Sequence, residues 1–167
     1  MHPFLTKLAA RFINFYPPFL GSGVRVRYLS SDFSIVQVKM KLTIWNRNIA
    51  GVHFGGSLYA MCDPFFMMIL MIRLGPDYIV WDKSASIRFR RPGKGTVTAR
   101  FSVSDELVLD IKTKADTLDK FEPVFVVKVL DHAGEVVAEV TKVLSVRRKR
   151  LRQPVVSGTI SASQAKT

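Results

Sequence analysis

Cysteine is nearly absent from this chain. Cys62 stands alone, so no internal disulfide can form, and its place inside an apolar run marks it as a core thiol rather than a nucleophile. Acidic side chains are scarce as well. Thirteen Asp and Glu face 25 Lys and Arg, and the resulting net charge of +12 favours polyanionic partners such as an acidic surface or a phosphorylated small molecule. One block of that charge is RRKRLR at residues 147–152, but no aromatics are interleaved with it, so nothing marks the stacking platform that would argue for nucleic acid. An apolar stretch free of charge and proline is also missing. Residues 58–74 are long enough to tempt a membrane reading, yet Asp63, Pro64 and Arg73 interrupt them, and the expectation is a helix buried on all sides with no transmembrane segment. Lys7 and Arg11 break the N-terminal apolar pattern in the same way, so no secretory signal is expected and the cytoplasm is the expected location. No group of residues has metal-ligand spacing, and no Walker or dinucleotide motif and no internal repeat occurs, so neither a metal nor a cofactor is expected.

What is present is regular. The length fits one domain, placed at residues 1–150, with a small and polar segment at 151–167 expected to be disordered. Phe4, Leu5, Leu8, Phe12 and Phe15 recur at helical spacing and predict an amphipathic helix over about 3–16, stopped by Pro17-Pro18. Strict alternation of Val36, Val38, Met40, Leu42 and Ile44 with polar residues predicts a half-buried strand over 36–44, preceded by a shorter one at 24–29. Further strands are predicted at 79–90, 96–104, 123–130 and 135–146. A short helix over 105–118 places Leu107, Ile111, Ala115 and Leu118 on one face. Five or six antiparallel strands and one helix apolar nearly all round, over about 56–73, make an α+β domain whose curved sheet wraps that helix. The exposed edges of such a sheet predict pairing with a second copy, a homodimer that could assemble further into a tetramer.

The chemistry concentrates in residues 46–75. Gly55 and Gly56 open the central helix, and Asp63 follows Gly56 by seven residues, close to two turns at about 3.6 residues per turn, which would return the carboxylate to the face of the glycine. The free N–H groups of a helix start can hold a developing oxyanion, and glycine lets a carbonyl approach the backbone. A carboxylate alone in so apolar a tract would be pushed toward the range of a useful base. An N-terminal helix charge paired with one of the many arginines is the plainer alternative for Asp63, a turn residue is the plainer one for Asn48, and a surface loop residue the plainer one for His53. Phe65, Phe66, Met67, Met68, Leu70 and Met71 either line an apolar slot or pack the core.

Asn48 seven residues before Gly55, the Gly55-Gly56 pair, Asp63, and the strand and turn WDKSASIRFRRPG from Trp81 to Gly93 together resemble the hotdog-fold acyl-CoA thioesterases. The likeness is to the branch related to the phenylacetate-pathway thioesterases, and within it to a small uncharacterised bacterial subgroup; it runs from about Arg25 to Val146. The resemblance implies a hotdog fold and hydrolysis of an acyl-CoA or acyl-carrier thioester, with coenzyme A entering only as part of the substrate. It implies Asp63 as general base or nucleophile, the Gly56 N–H as the group that polarises the carbonyl, and Asn48 reaching in from the neighbouring subunit. Substrate contacts implied with them are His53, Phe54, Gly55 and Ser57 at the helix start, Ser84 and Ser86 on the strand, and Arg88, Arg90 and Arg91 toward the CoA phosphates. The family often has His-Gly-Gly where this chain has Phe54 before the glycines and His53 displaced by one, and Pro64 follows Asp63 directly, which should kink the helix. Two other activities fit the same fold: an acyl-CoA or fatty-acid binding protein without turnover, and a dehydratase or hydratase acting on an acyl thioester.

Overall fold

The structure, a computed structural model, describes residues 12–149. In chain order it consists of α1 (Pro17–Ser22), β1 (Val24–Leu29), β2 (Ile35–Lys41), α2 (Gly55–Ala60), α3 (Phe65–Leu74), β3 (Tyr78–Phe89), β4 (Thr96–Ser102), α4 (Asp105–Thr117), β5 (Val124–Leu130) and β6 (Val136–Arg148). The strands form one antiparallel sheet in the order β1-β2-β4-β5-β6-β3. Alternation along each strand sends one row of side chains inward: Val36, Val38 and Met40 from β2, Val97, Ala99 and Phe101 from β4, and Val140, Leu144 and Val146 from β6 are all buried. Phe65 and Phe66 of α3 meet that row, with ring centroids 4.8 Å and 5.1 Å from Phe101 and, for Phe66, 4.6 Å from Phe125. This is the hotdog architecture, six strands around a central helical segment.

That segment departs from the predicted helix over 56–73 in two ways. It is broken: α2 ends at Ala60, residues 61–64 turn, and α3 restarts with Pro64 as its N-cap (φ −89°, ψ −12°) and the Met68 N–H on the Pro64 carbonyl. Proline cannot donate the hydrogen bond that would continue α2, and its ring clashes with the preceding turn. Gly56 and Asp63 therefore do not share one helix face by two-turn periodicity. Nor is the segment buried on all sides, since Met71 and Ile72 are half exposed. Gly55–Leu74 is long and apolar enough to cross a membrane, with mean hydropathy 1.5, and half of it is buried in this fold.

Other expectations move by a few residues. β2 ends at Lys41 rather than 44, because the Leu42 N–H turns to the Gly95 carbonyl and leaves Ile44 and Trp45 exposed in a loop. Pro17 and Pro18 begin a helix as well as ending a segment: they occupy the first turn of α1, where a missing N–H costs nothing. Gly23 closes α1 at φ 76°, with the Asn46 amide where a Cβ would stand. α4 is capped by Ser104, but only Ile111 and Ala115 of its predicted face are buried, and Leu107 and Leu118 are exposed. Most of the predicted 3–16 helix and the whole 151–167 segment lie outside the described residues.

β3 holds one further irregularity. Asp82 pairs with Leu144 and Ser84 with Val143, so Lys83 is an extra residue, a bulge in the strand.

Candidate active site

The loop into α2 is pinned by a residue with no assigned part in the chemistry. Asn46 is buried; its Oδ1 accepts the Thr43 N–H at 2.8 Å, and its Nδ2 donates to the Ser22 and Lys41 carbonyls at 2.9 Å each. Its own carbonyl accepts the Phe54 N–H at 2.8 Å, which fixes where α2 begins. Asn48 closes a turn: Oδ1 accepts the Ala50 and Val52 N–H groups at 3.0 Å and 3.2 Å. Its side-chain NH2 makes no hydrogen bond among the described residues and remains as a donor. The turn role and the donor role are thus compatible, since they use opposite ends of one amide.

Asn48, Val52, His53, Gly55 and Leu58 line one wall of a 420 Å³ pocket, with Phe89, Arg90, Arg91, Pro92 and Gly93 on the other. His53 is buried, not a surface loop histidine. Its Nε2 lies 3.1 Å from the Gly95 carbonyl, so Nε2 carries the proton, and Nδ1 is buried with no partner. Burial lowers its pKa below the usual 6.5, opposed in part by the Gly95 carbonyl, so the ring is neutral at physiological pH. A Cβ on Gly55 would come within 2.8 Å of the Phe89 ring, and one on Gly56 would overlap the ring of Phe54. Both glycines thus let an aromatic ring lie against the backbone at the start of α2, where Phe54 offers no side-chain cap to the free N–H groups. Arg90 and Arg91 are engaged by β6 and its turn, at 3.4 Å from Glu139 and 2.7 Å from Glu135.

Asp63 does not line that pocket. It stands in the 61–64 turn, its side chain 45% exposed, with Oδ1 2.8 Å from Nζ of Lys142. Lys142 is fully buried and reaches Asp82 as well, at 3.0 Å. Tyr59 closes the cluster, its ring centroid 5.5 Å from Nζ. Asp63 is therefore not a lone carboxylate in an apolar tract; it shares a cation with a second carboxylate. Burial works to lower the Lys142 pKa, but the hydrogen bonds and charges of Asp63 and Asp82 outweigh it and raise the value above 10.5. Burial raises Asp82, with Lys142 opposing. Burial also pushes the adjacent Cys62 thiol up to about 12, as befits a protonated core residue. Lys142 was legible in principle: it sits in phase with the inward residues Val140, Leu144 and Val146, where an unpaired ammonium would be prohibitive.

The remaining predicted contacts divide by face. Directly opposed residues of an antiparallel pair share a face. Ala85, Ile87 and Phe89 pair with Lys142, Val140 and Ala138 and so face inward, whereas Ser84, Ser86 and Arg88 pair with Val143, Thr141 and Glu139 on the outer face. Within one protomer Ser84, Ser86 and Arg88 are therefore turned away from Asp63, and the bulge at Lys83 is the reason. Ser57 is buried in α2, and Phe54 lies exposed over Gly56. The apolar residues also sort themselves. Phe65, Phe66 and Leu70 are core, while Met67, Met68 and Met71 line a 630 Å³ apolar groove, backed by Phe65, with Pro64, Ile72 and aromatic residues of the 12–19 segment. Among the described residues no His, Cys, Asp and Glu group is placed to hold a metal.

Against this geometry stand the known proteins. A family model described as a domain of unknown function, DUF4442, matches residues 6–146. No curated protein matches the chain. Among solved structures, a Pseudomonas aeruginosa protein of unknown function, PA5026, described as a probable thioesterase, is 25% identical with TM-score 0.76, over 86% of this chain and 96% of its own. The thioesterase HI1161 of Haemophilus influenzae is 14% identical with TM-score 0.62, over 86% and 90%. The PaaI protein of the Escherichia coli phenylacetic acid degradation operon is 17% identical with TM-score 0.59, over 88% and 93%. The latter two are likenesses of fold.

Proposed function

The chain belongs to the DUF4442 family, within the hotdog thioesterase superfamily, and on that footing we propose that it hydrolyses acyl-CoA thioesters in the cytoplasm. The observation that carries this reading is Asp63: a carboxylate open to solvent, held at one oxygen by Lys142, and followed directly by Pro64 in the wall of an apolar groove. That groove suits an acyl chain, and its three methionines suit chains of varied shape. The basic mouth of the other pocket suits the phosphates of coenzyme A.

In this reaction Asp63 takes a proton from a water whose oxygen attacks the thioester carbonyl carbon. The oxyanion is received by the free N–H of Gly56 and the side-chain NH2 of Asn48. Collapse breaks the C–S bond, and the departing thiolate takes the proton from Asp63, leaving a free acid and coenzyme A. A positioned base contributes about 10²–10⁴ and one oxyanion donor about 10²–10³ to such a rate.

Asp63 and Asn48 do not line one pocket in a single protomer, so the reading includes a second copy. β3, twelve residues long, is the last strand of the sheet, and its outer edge is unpaired among the described residues. Pairing that edge with its counterpart removes the exposed edge and brings the Asn48 loop of one protomer toward the Asp63 of the other. The test is a panel of acyl-CoAs with a thiol reagent, run on wild type, Asp63→Ala and Asn48→Ala. Cleavage by wild type that collapses in both variants supports the reading. Tight acyl-CoA binding without turnover, equal in all three, replaces it with a carrier.

A further inference from the structure

Among the described residues Lys142 is the one fully buried Lys, Arg, Asp or Glu side chain, and the proposed reaction does not use it. Nothing in the fold calls for it. Its neighbours in the same inward row are Val140 and Leu144, and an apolar residue in place of a buried ion pair is often neutral or stabilising. Sequences break local rules of this kind mainly at functional sites.

The cluster has a specific composition. Asp63 comes from the turn between the helices, Asp82 from β3 just before its bulge, Lys142 from β6, and Tyr59 and Cys62 from the helical segment. Two carboxylates share one ammonium. If Asp63 were the only partner, its protonation during the reaction would leave a fully buried cation unpaired, and Lys142 would lose its charge or its place. With Asp82 3.0 Å away, the ammonium keeps a counter-ion throughout. Lys142 grips only Oδ1 of Asp63, and the 45% exposure of that side chain leaves the carboxylate open to water.

We propose that Lys142 is a positioning residue for Asp63, and that Asp82 holds Lys142 charged and in place while Asp63 carries the proton. This rests on the thioesterase reading above. Removing the ammonium lets the carboxylate swing from its productive setting, and a misplacement of that kind costs on the order of a hundredfold in rate.

Two measurements test it. In the kinetic arm, Lys142→Met should lower kcat of the folded fraction on the order of a hundredfold, with a lower Tm because two carboxylates lose their cation, and Asp82→Asn should lower it roughly tenfold, with KM little changed and Asp82→Glu restoring kcat. A fall in Tm with kcat intact in the folded fraction would make the cluster structural and overturn the proposal. In the second arm, NMR of 15N-lysine-labelled protein follows the slowly exchanging Lys142 ammonium protons without any turnover. Their signal should persist in Asp63→Asn, the mimic of the protonated state, and vanish in Asp63→Asn/Asp82→Asn. Loss in the single variant, or persistence in the double, overturns the part assigned to Asp82. A wild type that cleaves no thioester defeats the reaction itself, and the NMR arm reports on the cluster independently of it.

Discussion

α3 buries five of its ten residues and threads two of them into a run of rings, Phe19, Phe65, Phe101, Phe66 and Phe125, with successive centroids 4.6–5.6 Å apart. α2, six residues long and opened by two glycines, buries Ser57 and Leu58 alone. Glycine is among the poorest helix formers, so α2 persists because Asn46 and the loop fix its start and Leu58 is buried in the core, not through its own propensity. The two halves of one apolar segment thus divide the work. α3 supplies packing energy, and α2 with the turn behind it supplies accessible backbone and a carboxylate.

That division can be broken from either side. The largest effect is expected from Phe66→Ala, which should cost about 4 kcal/mol in denaturant unfolding while leaving the activity of the folded fraction near wild type. Leu58→Ala should cost less than Phe66→Ala; equal losses would erase the contrast. Next, Asp63→Asn should lower kcat about a hundredfold with little change in Tm, because Asp82 still pairs Lys142. Gly56→Ala displaces the Phe54 ring and should lower kcat/KM roughly tenfold, with stability moving by no more than about 1 kcal/mol as helix propensity offsets the clash. The smallest effect concerns pH. The folded-state pKa of His53 is depressed, so its contribution is present above about 6.5 and is lost as pH falls below that value and the unfolded chain binds the proton first. Urea titrations from pH 7.5 to 5 should show this as a slope of at most about 1.4 kcal/mol per pH unit, flattened in His53→Gln.

Much of the fold was legible because alternation is legible. β1 was located to the residue, and the other strands within a few positions of their observed ends. Pro64 announced a kink, but not that residues 61–64 would leave the helix altogether, and so the two-turn argument joining Gly56 to Asp63 failed. The pairing of Asp63 was foreseen only in kind. Its partner is a lysine nearly eighty residues away, and only the inward phase of Lys142 between Val140 and Leu144 hinted at it. His53 looked like a loop residue because its burial depends on Gly93 and Gly95 folding back over it. The bulge at Lys83 left no mark in composition, since no glycine or proline accompanies it. The outward facing of Ser84, Ser86 and Arg88 within one protomer was for that reason not legible.

The same bulge gives β3 something like a reading frame. Upstream of Lys83 the residues in phase with Asp82 face the core; downstream the frame has shifted by one, and Ala85, Ile87 and Phe89 take the inner lane. Taking Lys83 into the ladder opposite Val143 would give a single frame along the strand and shift every downstream residue by one partner. Phe89 would then leave its seat against Gly55, and a row of serine and arginine would turn toward Lys142. One residue of slack thus allows a strand to supply a carboxylate to a buried ammonium at one end and a ring to a glycine helix start at the other.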